Sequence, residues 1–170
     1  MEQQRREGKE RRKVVLDSAA FLNSSFLPPL REAYAPPSVV AEIKSQKKHM
    51  IDENIRVVQP SEESIKKALS AAEETGDIEK LSKTDIDVLA LALDVGGTII
   101  TDDFHVQNVA AFLGIPFKGI TAEIREVYMW RRKCPVCGRL YPTKKTFCPK
   151  CGVKLTPPLK IRYVRRRKTQ

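Results

Sequence analysis

Four cysteines stand in two Cys-x-x-Cys pairs, Cys134-Pro-Val-Cys137-Gly138 and Cys148-Pro-Lys-Cys151-Gly152, with ten residues between them. Each pair sets two sulfurs on one side of a tight knuckle, and the glycine that follows permits the left-handed turn out of it. Two knuckles together offer four thiolates, the donor set of a closed tetrahedral Zn²⁺ site with no position left for a substrate. The spacing predicts a structural zinc ribbon. Its folding energy would come from the metal, on the order of 10–16 kcal/mol, because so short a module buries little core. A redox or disulfide role is the alternative. Clustered cysteines of this kind suit a reducing compartment, the cytoplasm.

A second group of residues is acidic and dispersed. Asp17 follows the apolar run Val14-Val15-Leu16, Glu42 falls early in a helical segment, Asp85 stands at a helix start, and Asp103 follows Thr98-Ile99-Ile100-Thr101. Taken singly, an acid at a helix start is a cap that satisfies orphan amides and the helix dipole. Taken together they have another use. If the two strands are neighbours, Asp17 and Asp103 emerge at the same sheet edge, and the helix starts bring Glu42 and Asp85 to it. Carboxylates so placed repel unless a divalent cation sits among them. Oxygen donors without His or Cys favour Mg²⁺ or Mn²⁺, which activate water and stabilise charge on a phosphodiester. Asp17, Asp85 and Asp103 are the expected ligands, with Asp102 a further candidate and Glu42 either completing the set or supporting it from behind. Two choices stay open. A capping box can pair Ser82 with Asp85 or Thr84 with Asp87, and the second, which frees Asp85, is preferred. One of Asp102 and Asp103 caps the next helix while the other faces the site. Ser18 and Thr101 are candidates to orient ligands, and His49 and His105 read as surface or packing residues.

The elements that must position these groups follow from punctuation and periodicity. Strands are expected at Val14–Leu16, Ile55–Val58, Thr98–Thr101 and Pro116–Gly119, with Pro28-Pro29 and Pro36-Pro37 bracketing a loop. Helices are expected from Ser18, from Ser38 to about Asn54, from Ser61 to Thr75, from Ser82 or Thr84 to Gly96-Gly97, and from Asp103 to Leu113. In the fourth of these, Ile86, Leu89, Ala90 and Leu93 mark one apolar face. Strands alternating with helices imply a parallel sheet covered on both faces. The divisions are a charged arm over 1–12, an α/β domain over 13–120, a connector over 121–133, the zinc ribbon over 134–158 and a basic tail over 159–170.

Charge divides the chain in the same way. Residues 127–170 carry 14 Lys and Arg and no Asp or Glu, against 17 basic and 21 acidic residues in 1–126. A +14 segment beside a −4 domain reads as a polyanion-binding surface. Arg131, Arg132, Lys133, Arg139, Lys144, Lys145, Arg165, Arg166 and Arg167 are its candidate phosphate contacts. Trp130, Tyr141, Phe147 and Tyr163 are interleaved with them and can stack on unpaired bases, although Trp130 and Phe147 are equally suited to the ribbon's core. No apolar stretch is long enough for a membrane span, no export signal is read, and no Walker loop, G-x-G-x-x-G or HExxH occurs. Cations to hold a nucleic acid beside anions to hold a metal are the parts of a metal-dependent nuclease.

The run Val14–Phe21, Glu42, the segment Leu81-Ser82-Lys83-Thr84-Asp85 with Leu89–Ala92, and Thr101-Asp102-Asp103 resemble a PIN-domain ribonuclease. With Asp102–Ala110 and the four-cysteine ribbon added, residues 13–165 resemble the archaeal Nob family. That resemblance implies a three-layer α/β/α fold with a parallel sheet and a C-terminal ribbon. It also implies Mn²⁺- or Mg²⁺-dependent endonucleolytic cleavage of precursor small-subunit ribosomal RNA at its 3′ end, leaving a 3′-hydroxyl and a 5′-phosphate. The partners it implies are the pre-small ribosomal subunit and its assembly factors. The alternatives are a catalytically idle RNA-binding assembly factor and a toxin-type PIN ribonuclease.

Overall fold

The computed structural model describes residues 13–22, 33–46 and 55–163. Strand β1 (Val14–Leu16) is apolar on both faces, with Val15 and Leu16 fully buried, as a central parallel strand must be. Beside it lie β2 (Ala33–Ala35), β3 (Ile55–Val57), β4 (Thr98–Ile100) and β5 (Phe117–Lys118). All neighbours pair in parallel, in the order β3-β2-β1-β4-β5. The helices are α1 (Ser18–Leu22), α2 (Pro37–Gln46), α3 (Glu62–Thr75), α4 (Lys83–Val95) and α5 (Phe104–Leu113). They supply the crossovers that parallel strands require, and the parallel, layered α/β architecture expected from the sequence is present.

Three differences from expectation have physical causes. The segment between the proline pairs contains β2, whose Ala33, Tyr34 and Ala35 are buried between β1 and β3. Of these three residues only Tyr34 favours a strand, too little signal on its own, and tertiary pairing makes the strand. Pro37 opens α2, a position where its missing N–H costs nothing. Helix α4 is buried all round from Ile86 to Ala92, because α2, α3, α5, β1 and β4 surround it. Its apolar positions therefore exceed the single stripe that periodicity suggests. Pro28-Pro29, His49 and the charged arm over 1–12 lie outside the described residues, as do 47–54 and 164–170.

A second sheet, antiparallel in the order β7-β6-β8, follows: β6 (Tyr128–Lys133), β7 (Leu140–Pro142) and β8 (Leu159–Arg162). Residues 128–133 and 159–162, read above as connector and tail, are thus strands that pair with each other. Their many cations hide the alternation that marks a strand.

The two sheets are joined through α3, α5 and β6. Asp77, just past α3 and 1% exposed, accepts from Trp130 Nε1 at 2.9 Å and from Asn108 Nδ2 at 2.6 Å, and pairs with His105 Nδ1 at 2.7 Å. Asn108 also bonds both the N–H and the carbonyl of Tyr128. Gly76 ends α3 at φ 86°, and a Cβ there would stand 2.8 Å from the Trp130 carbonyl oxygen and 2.9 Å from its Cβ. Only glycine meets both demands. Gly76→Ala is expected to cost about 2–3 kcal/mol and to shift the emission of Trp130, the sole tryptophan, to the red. Thermal melts and fluorescence of the variant check this.

Candidate active site

The strand order 3-2-1-4-5 reverses direction between β1 and β4, and the crevice beyond the carboxyl ends of those strands is where such sheets carry their sites. Register places Leu16 opposite Ile100, so the next residues, Asp17 and Thr101, emerge side by side. Asp17 is 5% exposed and accepts from the Ala19 N–H at 2.7 Å and from Ser18 Oγ at 3.3 Å. Its other oxygen accepts from the hydroxyl of Thr101, which is fully buried. The same Thr101 hydroxyl oxygen accepts from the Asp103 N–H at 3.0 Å. One threonine thus ties the acid of β1 to the acid that follows β4.

Asp103 is the N-cap of α5, and its Oδ1 accepts from the N–H groups of His105 at 2.7 Å and Val106 at 3.4 Å. Asp85 caps α4 in a capping box with Ser82, whose N–H and hydroxyl both donate to Asp85 Oδ2, at 2.7 and 2.8 Å. The preferred pairing of Thr84 with Asp87 is therefore not formed. Asp87 is buried and accepts from Ser38 Oγ at 2.8 Å, holding α2 to α4, while Thr84 Oγ1 donates to Glu42 Oε1 at 2.5 Å. Asp85 is still available to the crevice. Asp85 and Asp103 each spend one oxygen on a cap and keep the other, Asp85 Oδ1 and Asp103 Oδ2, without a hydrogen bond among the described residues.

Asp102 turns the opposite way. It accepts from the N–H groups of Ile120 and Thr121, at 2.6 and 2.9 Å, and from the Thr121 hydroxyl at 3.0 Å. Those bonds, led by the Thr121 N–H, lower its pKa. The expected division of labour between the two aspartates is corrected: Asp103 both caps α5 and stands beside the crevice, and Asp102 fastens the 119–122 turn. His105 is a packing residue held by Asp77. The sequence reading ended α3 at Thr75 and missed Asp77, whose only signal was a carboxylate directly after a capping glycine.

Burial pushes Asp85 above the ordinary carboxylate range, opposed by the Ser82 hydrogen bonds and reinforced by the charges of Asp103 and Asp17. The three acids stand close enough to repel one another, yet no carboxylate trio among the described residues gathers as tightly as the cysteines do.

The ligand sulfurs of Cys134, Cys137, Cys148 and Cys151 all lie within 4.8 Å of one another. Cys137 Sγ and Cys148 Sγ are 3.7 Å apart, the edge of a tetrahedron about 3.8 Å long that Zn–S bonds of about 2.3 Å define. Gly138 and Gly152 turn out of the knuckles at φ 70° and 69°. The hydroxyl of Tyr141, 3.3 Å away, brings Cys148 down to about 6, while burial and the other three sulfurs push Cys151 up to about 12. Four thiolates cannot coexist here without a cation, and the cluster is consistent with a structural zinc site.

Of the cations expected to contact phosphate, Lys133, Arg139, Lys144 and Lys145 are exposed, Lys144 with a longer pair to Glu73 at 3.5 Å. Arg131 instead pairs with Glu74 of α3 at 2.9 Å, and Arg132 donates to the carbonyls of Thr143 and Thr156. Arg165, Arg166 and Arg167 lie outside the described residues. Phe147 is 60% exposed rather than core. Among the described residues no helix is long and apolar enough to cross a membrane.

Residues 14–95 match the family described as the PIN domain of ribonuclease, which fits a parallel sheet with acids at its switch point. Over 155 residues the chain is 37% identical to Endoribonuclease Nob1 of Pyrococcus abyssi, covering 85% of this chain and 94% of that protein. Over 156 residues it is 40% identical to Endoribonuclease Nob1 of Methanothermobacter thermautotrophicus, covering 84% and 91%. Ribonuclease VapC1 of Thermoplasma acidophilum is 37% identical over 145 residues, 81% of this chain and 74% of its own. The chain belongs to the archaeal Nob1 family of PIN-domain endoribonucleases.

Chelating the metal of the cysteine cluster, or introducing Cys148→Ser, should red-shift Trp130 emission, because β6 loses the ribbon that it pairs with; unchanged emission would show the sheet to be metal-independent. A carboxyl whose folded pKa is raised stabilises the protein at low pH and loses that contribution as pH rises from its ordinary value, about 4, through the raised one. In divalent-free buffer, Asp85→Asn should therefore gain on the parent as pH rises from 4 to 7. The gain is about 1 kcal/mol or less after solvent screening, or ~2–4 °C in melting temperature.

Proposed function

We propose that the chain is a metal-dependent endoribonuclease that cuts precursor small-subunit ribosomal RNA at its 3′ end, leaving a 3′-hydroxyl and a 5′-phosphate. The observation that carries the proposal is the Thr101 hydroxyl, bonded to Asp17 and to the Asp103 N–H, which sets two acids at the switch point with Asp85 close enough to repel them. Asp17, Asp85 and Asp103 would hold Mg²⁺ or Mn²⁺, and Glu42, anchored by Thr84, would complete the set. Mg²⁺ keeps several of its waters, so its protein ligands need not all touch it; this suits carboxylates that are near one another but not in contact. The bound ion supplies an activated water and neutralises charge on the phosphodiester.

The residues of the chain do the rest. Asp85 and Asp103 present their unspent oxygens, and Thr101 fixes Asp17 so that the cluster is formed before substrate arrives. Lys133, Arg139, Lys144 and Lys145 grip RNA phosphates flanking the cut, without sequence readout. Zinc in the ribbon is structural, and four reduced cysteines suit a cytoplasmic protein working on pre-small-subunit particles with their assembly factors. The kinship with proteins named Endoribonuclease Nob1 supports the ribosomal substrate over a toxin-like one, since those relatives are covered over 94% and 91% of their length.

Incubated with Mn²⁺ and RNA spanning the mature 3′ end, the protein should yield one cut with the stated ends, and Asp17→Asn should cut at least about a thousandfold more slowly while binding RNA within a few fold. Normal cutting by Asp17→Asn overturns the metal-site assignment, and binding without any cut favours the idle assembly factor. Replacing Lys133, Arg139, Lys144 and Lys145 by Ala should flatten the salt dependence of binding by about 0.7 in log–log slope for each lost phosphate contact. An unchanged slope would place the backbone grip elsewhere.

A further inference from the structure

Beside the junction of the two sheets is an open pocket whose use the acids and the zinc ribbon do not explain. Its wall is aromatic: Phe104, His105, Tyr128 and Trp130, with Lys160 at the rim and Asp77 beneath. Phe104 opens α5, is the residue after Asp103, and leaves 52% of its surface to solvent. The rings of His105 and Trp130 lie 6.3 Å apart at 38°, each tied to the same buried carboxylate of Asp77. With Nδ1 committed to Asp77, His105 Nε2 makes no hydrogen bond among the described residues. Lys160 Nζ sits 3.8 Å over the Tyr128 ring and makes no ion pair among the described residues.

We propose that this pocket, formed jointly by the start of α5 and by β6 and β8, seats a nucleobase of single-stranded RNA next to the phosphate being cut. The inference rests on the ribonuclease reading and deepens it, by naming what fixes the strand's register at the acids. The occupant follows from placement and charge. Phe104 directly follows Asp103, the N-cap of α5, so a strand held on its ring has its backbone close to the acids. Aromatic faces accept any base, and Lys160 supplies the cation that a neighbouring phosphate needs. The Asp77 carboxylate is 1% exposed and both its oxygens are already bonded to groups of the protein, so it lies behind the rings and is not offered to the ligand. Asp77 is thus a positioning residue, and Phe104 makes the contact.

The test uses the full-length, zinc-loaded chain carrying Asp17→Asn, so that RNA is bound but not cut. The probes are single-stranded oligoribonucleotides with one abasic residue moved stepwise along the strand. Phe104 is half exposed, so Phe104→Ala should melt as the parent does, and it should weaken binding about 5- to 100-fold, with Phe104→Trp restoring it. One abasic position should reproduce the loss, and combining that RNA with Phe104→Ala should add nothing further. Binding within about twofold of the parent, or losses that multiply at every position, overturns the subsite. The intact RNA given to the parent protein with Mn²⁺ separates the two readings. Cutting without base coupling defeats the subsite and leaves the nuclease standing, whereas base coupling without cutting defeats the nuclease and leaves an RNA-binding pocket.

Discussion

The carboxylates that follow β1, open α4 and cap α5 are brought near one another at the switch point of the sheet, each fixed by hydrogen bonds from the protein itself, and much of the fold serves that confinement. Like charges brought together out of water raise one another's pKa and cost stability. Here the repulsion is visible at Asp85, which feels both Asp103 and Asp17. The cost is offset locally. Each acid caps a helix, so its charge meets orphan amides and a positive dipole end before it meets the other acids. Capping uses one oxygen of Asp85 and one of Asp103, and in the proposed function the other oxygen of each serves the metal. A buried threonine that bonds both partners at the strand ends makes the arrangement rigid.

The rest of the molecule extends from this constraint. The buried α4 carries Asp85 at one end, and through Thr84 and Asp87 it fixes α2, the helix of Glu42. Asp103 caps α5, and within the first two turns of that helix His105 and Asn108 reach Asp77, and Asn108 reaches the first strand of the ribbon sheet. The acids and the basic ribbon are therefore not tethered loosely. They share α5, so that the surface able to grip RNA keeps a fixed place relative to the acids that would act on it. Arg131 and Arg132, read from the sequence as phosphate contacts, instead help to hold that geometry by pairing with α3 and with ribbon carbonyls.

What the sequence revealed and what it hid divide along a physical line. Local patterns were legible: the knuckle spacing of the cysteines, the caps Ser61 and Asp103, the glycine stops, and the apolar runs of β1 and β4. Interactions between distant residues were not. Strand β2 exists because its neighbours pair with it, the choice of Ser82 over Thr84 as cap depends on Glu42 and Ser38 claiming Thr84 and Asp87, and Asp102 is drawn away by amides eighteen and nineteen residues later. Asp77 had no motif at all, since its three donors come from two other elements.

The central claim is that Asp17, Asp85 and Asp103 serve one hard cation in common. It is tested most directly by titrating Mn²⁺ into zinc-loaded protein and following free Mn²⁺ by electron paramagnetic resonance, for the parent and for each single Asp→Asn change. A shared ion predicts that every one of the three replacements weakens the same binding event by about tenfold or more. Affinities left unchanged by any one of them would show that the acids are caps alone, and that the crevice holds no common metal.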